Sequence, residues 1–176
     1  MKKIALLLCG AFIYLATFGQ AINDRAVIPV SVNLVSILRL TIKSGGNIEF
    51  TFNTIDDYNT GVTAGVVTQF TVASSQNFDV VFDSESANLI GTDSATHSIP
   101  GTEVIMAIAG ATGTITTPTN ISAINGGLDV IEDGVAGDAT ANAYTITWTC
   151  GTSGNLLGYP PDRYATNVFL TLQGSD

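Results

Sequence analysis

Apolar and polar side chains take turns along much of this chain, and no other feature constrains its fold as tightly. From Val27 to Phe52, Val30, Val32 and Leu34 alternate with Ser31 and Asn33. After a slip at Val35-Ser36, Leu38, Leu40 and Ile42 alternate with Arg39 and Thr41. Beyond Gly45-Gly46, Ile48, Phe50 and Phe52 alternate with Glu49 and Thr51. A period of two sends one set of side chains to a buried face and the other to water. The chain is therefore expected to open with long β structure.

The same period recurs downstream. Strands are expected at Val66–Ala73, Asn77–Asp83, Thr102–Ala109, Gly113–Thr117, Leu128–Ile131, Tyr144–Thr149 and Tyr164–Gln173. Val, Ile, Thr, Phe and Tyr fill these runs, as a half-buried pleated surface prefers. Gly, Asn, Asp, Ser and Pro fill the gaps. Ser74-Ser75-Gln76 is short and polar and reads as a hairpin link. No helix is expected. The fold class is all-β: an Ig-like antiparallel β-sandwich of about eight or nine strands. Phe50, Phe52, Phe78, Phe82, Trp148 and Leu170 are its expected core.

Residues 1–20 read as a signal peptide rather than as part of the fold. Lys2 and Lys3 form a basic start, and Ile4–Leu15 is an apolar run too short to span a membrane. Cleavage is expected after Gly19 or Ala21. Residues 21–176 then form one domain, large enough to bury about two-thirds of its extended-chain surface. No membrane insertion of the mature chain is expected. Export places it in the periplasm, at the cell surface or outside the cell.

After the leader, four basic residues (Arg25, Arg39, Lys43, Arg163) face fifteen acidic ones, a net charge of −11. Nucleic acid is excluded as a partner, because phosphate contacts need clustered Lys and Arg. Cys9 leaves with the leader, so Cys150 has no partner in its own chain. It ends an alternating strand. Its plain reading is a half-buried apolar side chain, with an intermolecular disulfide as the other.

Catalysis is not expected. His97 is the chain's single histidine. It lies in a polar loop with no nucleophile elbow near by, and reads as solvated. One His and one Cys are too few for zinc. Asp129, Glu132, Asp133 and Asp138 gather beside two glycines. They read either as solvated acidic turns or as a calcium site, the one cofactor this chain suggests. Three long loops, 54–65, 84–101 and 118–143, exceed what a compact sandwich needs. Tyr58 and Tyr159 are the loop aromatics suited to ligand contact. Tyr164, after Pro160-Pro161, is either a plain core residue or a corner tyrosine with its hydroxyl on nearby backbone. Asn120-Ile-Ser122 matches a glycosylation sequon; the leader suggests a bacterial chain, in which the match is expected to be chance. Asp93-Ser94-Ala95 looks like an O-glycosylation motif of some Gram-negative exported proteins.

The order Val30-Ser-Val-Asn-Leu34, Asn47-Ile-Glu-Phe-Thr-Phe52, Phe70-Thr-Val72 and Phe78-Asp-Val80, closing on Pro161-Asp-Arg-Tyr-Ala-Thr-Asn-Val-Phe-Leu-Thr-Leu172, resembles exported sandwiches of the spore-coat-protein-U and fimbrial-subunit type. The resemblance implies surface export and assembly by strand exchange. The residues allow it independently. Val27, Ile28, Val30, Val32 and Leu34, within 26–35, form a segment able either to pair in its own domain or to extend a neighbour's sheet. A non-enzymatic structural or assembly subunit is the first expectation, with other protein subunits or copies of itself as partners. The alternative is a secreted carbohydrate- or protein-binding module that uses the three loops.

Overall fold

The computed structural model describes residues 28–152 and 156–175. The leader, its cleavage site and Val27 lie outside the described residues. The chain divides into two units, Met1–Leu34 and Val35–Asp176. In the first, residues 28–34 form neither helix nor strand, and Ile28, Val30, Val32 and Leu34 are exposed. The strand expected at 26–35 is therefore not formed over its described part. Alternation alone supplies no ladder partner, and a strand needs one to satisfy its backbone groups.

The second unit is all-β and antiparallel. Its strands are β1 (Leu38–Ser44), β2 (Val62–Thr63), β3 (Thr68–Ser74), β4 (Phe78–Ser84), β5 (Asn88–Gly91), β6 (Ser98–Pro100), β7 (Val104–Gly110), β8 (Thr114–Ile115), β9 (Thr119–Asn120), β10 (Leu128–Gly134), β11 (Ala143–Cys150), β12 (Tyr164–Ala165) and β13 (Val168–Gly174). One sheet runs β1-β3-β11-β7-β9, with β2 also on β11; a second runs β13-β4-β10-β8; a small third runs β12-β5-β6.

Among the described residues, two short helices and a 3-10 turn depart from the helix-free expectation. Ile55–Thr60 is helical because Thr54 and Asp57 make a reciprocal capping box. Ile121–Ile124 is capped by Asn120, whose side chain accepts from the Ala123 N–H at 2.9 Å. The 3-10 turn is Gly101–Glu103.

The two larger sheets face each other. Thr68, Phe70, Val72 and Ser74 of β3 are buried, as are Phe78, Val80, Phe82 and Ser84 of β4. Phe70 meets Phe82 edge-on at 6.2 Å across the core and stacks on Tyr144 at 5.1 Å. Ser74-Ser75-Gln76 is thus not a hairpin link. It is an arch that carries the chain from one sheet to the other. The bonds follow: Ser75 N–H reaches the Ile37 carbonyl at 2.9 Å, and Ser74 bridges Gly137. Adjacent strands that both bury full alternate faces can oppose one another as readily as pair.

Of the expected core, Phe78, Phe82 and Trp148 are buried, while Phe50, Phe52 and Leu170 are half-buried and pack against it. Each fully buried Phe contributes about 1.5–3 kcal/mol. Val104, Met106 and Ile108 share one buried face, as do Tyr144, Ile146, Trp148 and Cys150.

Candidate functional site

β1 and β13 are the outer strands of their sheets. Next to them the sandwich opens into a cleft of about 750 Å³, walled by Ile42, residues 45–52, Tyr58, Thr68, Trp148, residues 159–168 and Leu170, among others. A volume of this size with mixed lining is what small-ligand sites present.

One wall is residues 46–52, and it corrects a strand expectation. Ile48, Phe50 and Phe52 turn inward while Asn47, Glu49 and Thr51 stay exposed. The faces are those of a strand, yet these residues pair with no strand among the described residues. Gly45 sets this course. Its φ of 66° favours glycine, and an added Cβ would strike the Val67 backbone. The exit is then tied down by a relay: Trp148 Nε1–H donates to Thr68 Oγ1 at 2.9 Å, and Thr68 Oγ1–H donates to the Gly45 carbonyl at 2.6 Å.

The opposite wall is Tyr159–Val168. Tyr164 is a corner tyrosine, its hydroxyl on the Pro160 carbonyl at 2.7 Å. Loss of water around the phenol raises its pKa, and the nearby charges of Asp162, Tyr159 and Tyr58 raise it further. Tyr58 and Tyr159, chosen from separate loops of the sequence, thus converge on one cleft with Tyr164. Tyr58 stands on the capped helix, held by the Phe52 ring at 5.1 Å. Sequence reasoning missed that helix, although Thr54-Ile-Asp-Asp57 carried its signal.

His97 is not simply a solvated loop histidine. The expected long loop 84–101 contains the β5–β6 hairpin, and the His97 side chain is only 33% exposed. Its Nδ1–H donates to Asp162 Oδ2 at 2.9 Å. The Asp162 carboxylate also accepts from the N–H groups of Asp93 (3.0 Å), Ser94 (3.3 Å) and Arg163 (2.7 Å). These bonds, the Asp93 amide first, hold its pKa down at about 2, against the opposing effect of lost water. Gly91 is required beneath this hub, since a Cβ there would run into the Asp162 carboxylate. Ser94 Oγ pairs with Thr96 Oγ1 at 2.8 Å, not with the imidazole. The hub clamps the hairpin to the turn before β12.

The acidic residues proposed for calcium have separate engagements. Asp129 accepts from Gln173 (3.4 Å), Asp133 from Ser175 (2.9 Å), and Asp138 caps the N–H groups of Thr140 and Ala141. Glu132 lies where β10 pairs with β8. Among the described residues, no group of three or more His, Cys, Asp or Glu side chains is placed to hold a metal ion. Cys150 is buried and unbonded to sulfur. Its thiol is pushed up to about 12 by burial and by the Glu103 charge.

No protein-family model matches this chain, and no curated protein does. Among solved structures it is similar to a family 123 glycoside hydrolase from Clostridium perfringens, described for glycolipid glycan hydrolysis. The likeness has 11% identity and a TM-score of 0.36, over 79% of this chain and 25% of that one. It carries no argument about activity here. No helix among the described residues is long and apolar enough to cross a membrane.

Proposed function

We propose that this chain is a non-enzymatic subunit of the bacterial envelope or of a surface fibre, exported and assembled with other subunits or copies of itself through β-strand pairing. One observation carries the reading. Two strand-like edges flank the same apolar-floored cleft: β13, bonded on one side only among the described residues, and residues 46–52, with apolar faces inward and no ladder partner among the described residues. An extended segment placed between such edges gains backbone hydrogen bonds and seats alternate side chains in pockets. Residues 28–34 have the matching alternation, with Ile28, Val30, Val32 and Leu34 exposed. A neighbour's copy of this segment is the natural donor.

Size-exclusion chromatography of the mature protein with and without residues 21–35 tests the reading. Concentration-dependent oligomers are expected from the full mature chain and monomers from the truncated one. Monomers from both, or oligomers from both, would refute it.

A further inference from the structure

We infer that the tyrosine-walled part of the cleft is a carbohydrate subsite for a neutral sugar, distinct from the strand-pairing role. Four aromatic side chains from separate stretches meet there: Phe52, Tyr58, Tyr159 and Tyr164. Tyr159 is 38% exposed, the most open of the four. Tyr164 spends its hydroxyl on backbone, whereas the Tyr58 and Tyr159 hydroxyls make no hydrogen bond within the described chain. Both are free to donate and accept. Thr166 adds to them. Its Oγ1, on the same cleft wall, is the one buried side-chain oxygen among the described residues without a partner. A native structure rarely leaves such an atom unmatched, and a ligand bearing hydroxyls is a chemically suitable partner for it.

The charge pattern narrows the class. Arg163 lines the cleft and makes no ion pair within the described chain, while Glu49 and Asp162 line it too, so the wall carries both signs and is not built around a single cationic ligand. Glu49, also on the wall and exposed, together with a mature net charge of −11, disfavours a polyanion. What remains is an uncharged molecule with an apolar face and a hydroxylated rim. A pyranose has both: its axial C–H groups lie on a tyrosine ring and its hydroxyls reach Tyr58, Tyr159, Thr166 and Arg163.

Trp148 provides the readout. It is the chain's single tryptophan, and it sits on the cleft wall at 7% exposure. The mature secreted protein is screened on an array of neutral glycans. Hits, together with cello-, malto- and chito-oligosaccharides, are then titrated against Trp148 emission and by calorimetry. At least one neutral saccharide should bind and shift the emission. Tyr159→Ala and Tyr58→Ala should each weaken that binding at least tenfold, and Tyr159→Phe, which keeps the ring, only a few-fold. A circular dichroism melt of each variant separates lost binding from lost fold. No binding at millimolar saccharide overturns the inference, as does binding that Tyr159→Ala leaves intact. A synthetic peptide of residues 27–35 run in the same titration completes the test. Peptide binding with no saccharide binding overturns the sugar subsite while supporting strand assembly. Saccharide binding by a chain that never oligomerises supports the subsite and refutes the assembly reading.

Discussion

Thr68→Val should loosen the cleft wall without changing its shape. Valine matches threonine in outline but neither donates nor accepts, so both bonds of the Trp148–Thr68–Gly45 relay vanish together. The indole N–H lies in the interior and loses its partner outright, at about 1–3 kcal/mol. The Gly45 carbonyl belongs to a half-buried residue that water reaches, so its loss falls at the lower end of the same range. The new methyl returns less than about 1 kcal/mol. The net cost is about 1–3 kcal/mol, or about 2–12 °C in Tm for a domain of this size. Calorimetry and urea titration followed by circular dichroism measure it. Thr68→Ser keeps the hydroxyl and should cost about 1 kcal/mol. A double-mutant cycle isolates the relay: in a Trp148→Phe background, Thr68→Val should cost about 1 kcal/mol less than in the wild type. Equal costs in both backgrounds, or a Thr68→Val penalty under about 0.5 kcal/mol, would show that the relay does not hold residues 46–52 in place.

Two further outcomes follow from the titrating groups. Asp162 has a folded pKa of about 2 against an ordinary carboxylate value of 3.8, so the stability it lends is complete above about pH 4 and is lost as pH falls through about 2. Asp162→Asn should remove that acid dependence and speed amide exchange at Asp93 and Ser94, measured by hydrogen exchange; unchanged exchange at both would refute the clamp. Cys150, its thiol raised to about 12, should resist iodoacetamide at pH 8 in the folded protein and react promptly in guanidinium. Rapid labelling of the native state, or a disulfide-linked dimer on a non-reducing gel, would refute its structural role.

The faces of the strands were legible in the sequence, but their partners were not. Phe78, Val80 and Phe82 lie on the core side, as alternation requires, and so do Tyr144, Ile146 and Trp148. Periodicity reports which side chains avoid water, a property of each segment alone. Pairing depends on segments far apart in the chain. So Ser74-Ser75-Gln76 read as a hairpin, although β3 bonds to β1 and β11 while β4 bonds to β13 and β10. The exposed residues 28–34 are the extreme case. Their pattern is as regular as that of β4, yet with no partner they form no strand among the described residues. Their alternation is a capacity to pair, which the proposed assembly would use.

The candidate site was legible one residue at a time. Tyr58 and Tyr159 stood out as the aromatic rings in expected loops, the type a ligand contact wants, although Tyr58 also packs against the core. That they face one cleft depends on three events whose joint outcome no local pattern encodes. Gly45 must turn the chain out of β1, the Thr54–Asp57 capping box must raise Tyr58 on a helix, and Pro160-Pro161 must bring Tyr159 and Tyr164 back along the edge. His97 makes the same point in reverse. It read as solvated because its surroundings in sequence are polar, but the carboxylate it meets arrives from Asp162, beyond β11. The hub at Asp162 and the cleft wall share the 159–166 segment. Anything that frees the β5–β6 hairpin should therefore also disorder the wall that carries Tyr159. Asp162→Asn is then expected to weaken saccharide binding by loosening that wall. Tyr159→Phe should leave the hairpin's amide exchange unchanged. Loss of binding without faster exchange in Asp162→Asn would break this link.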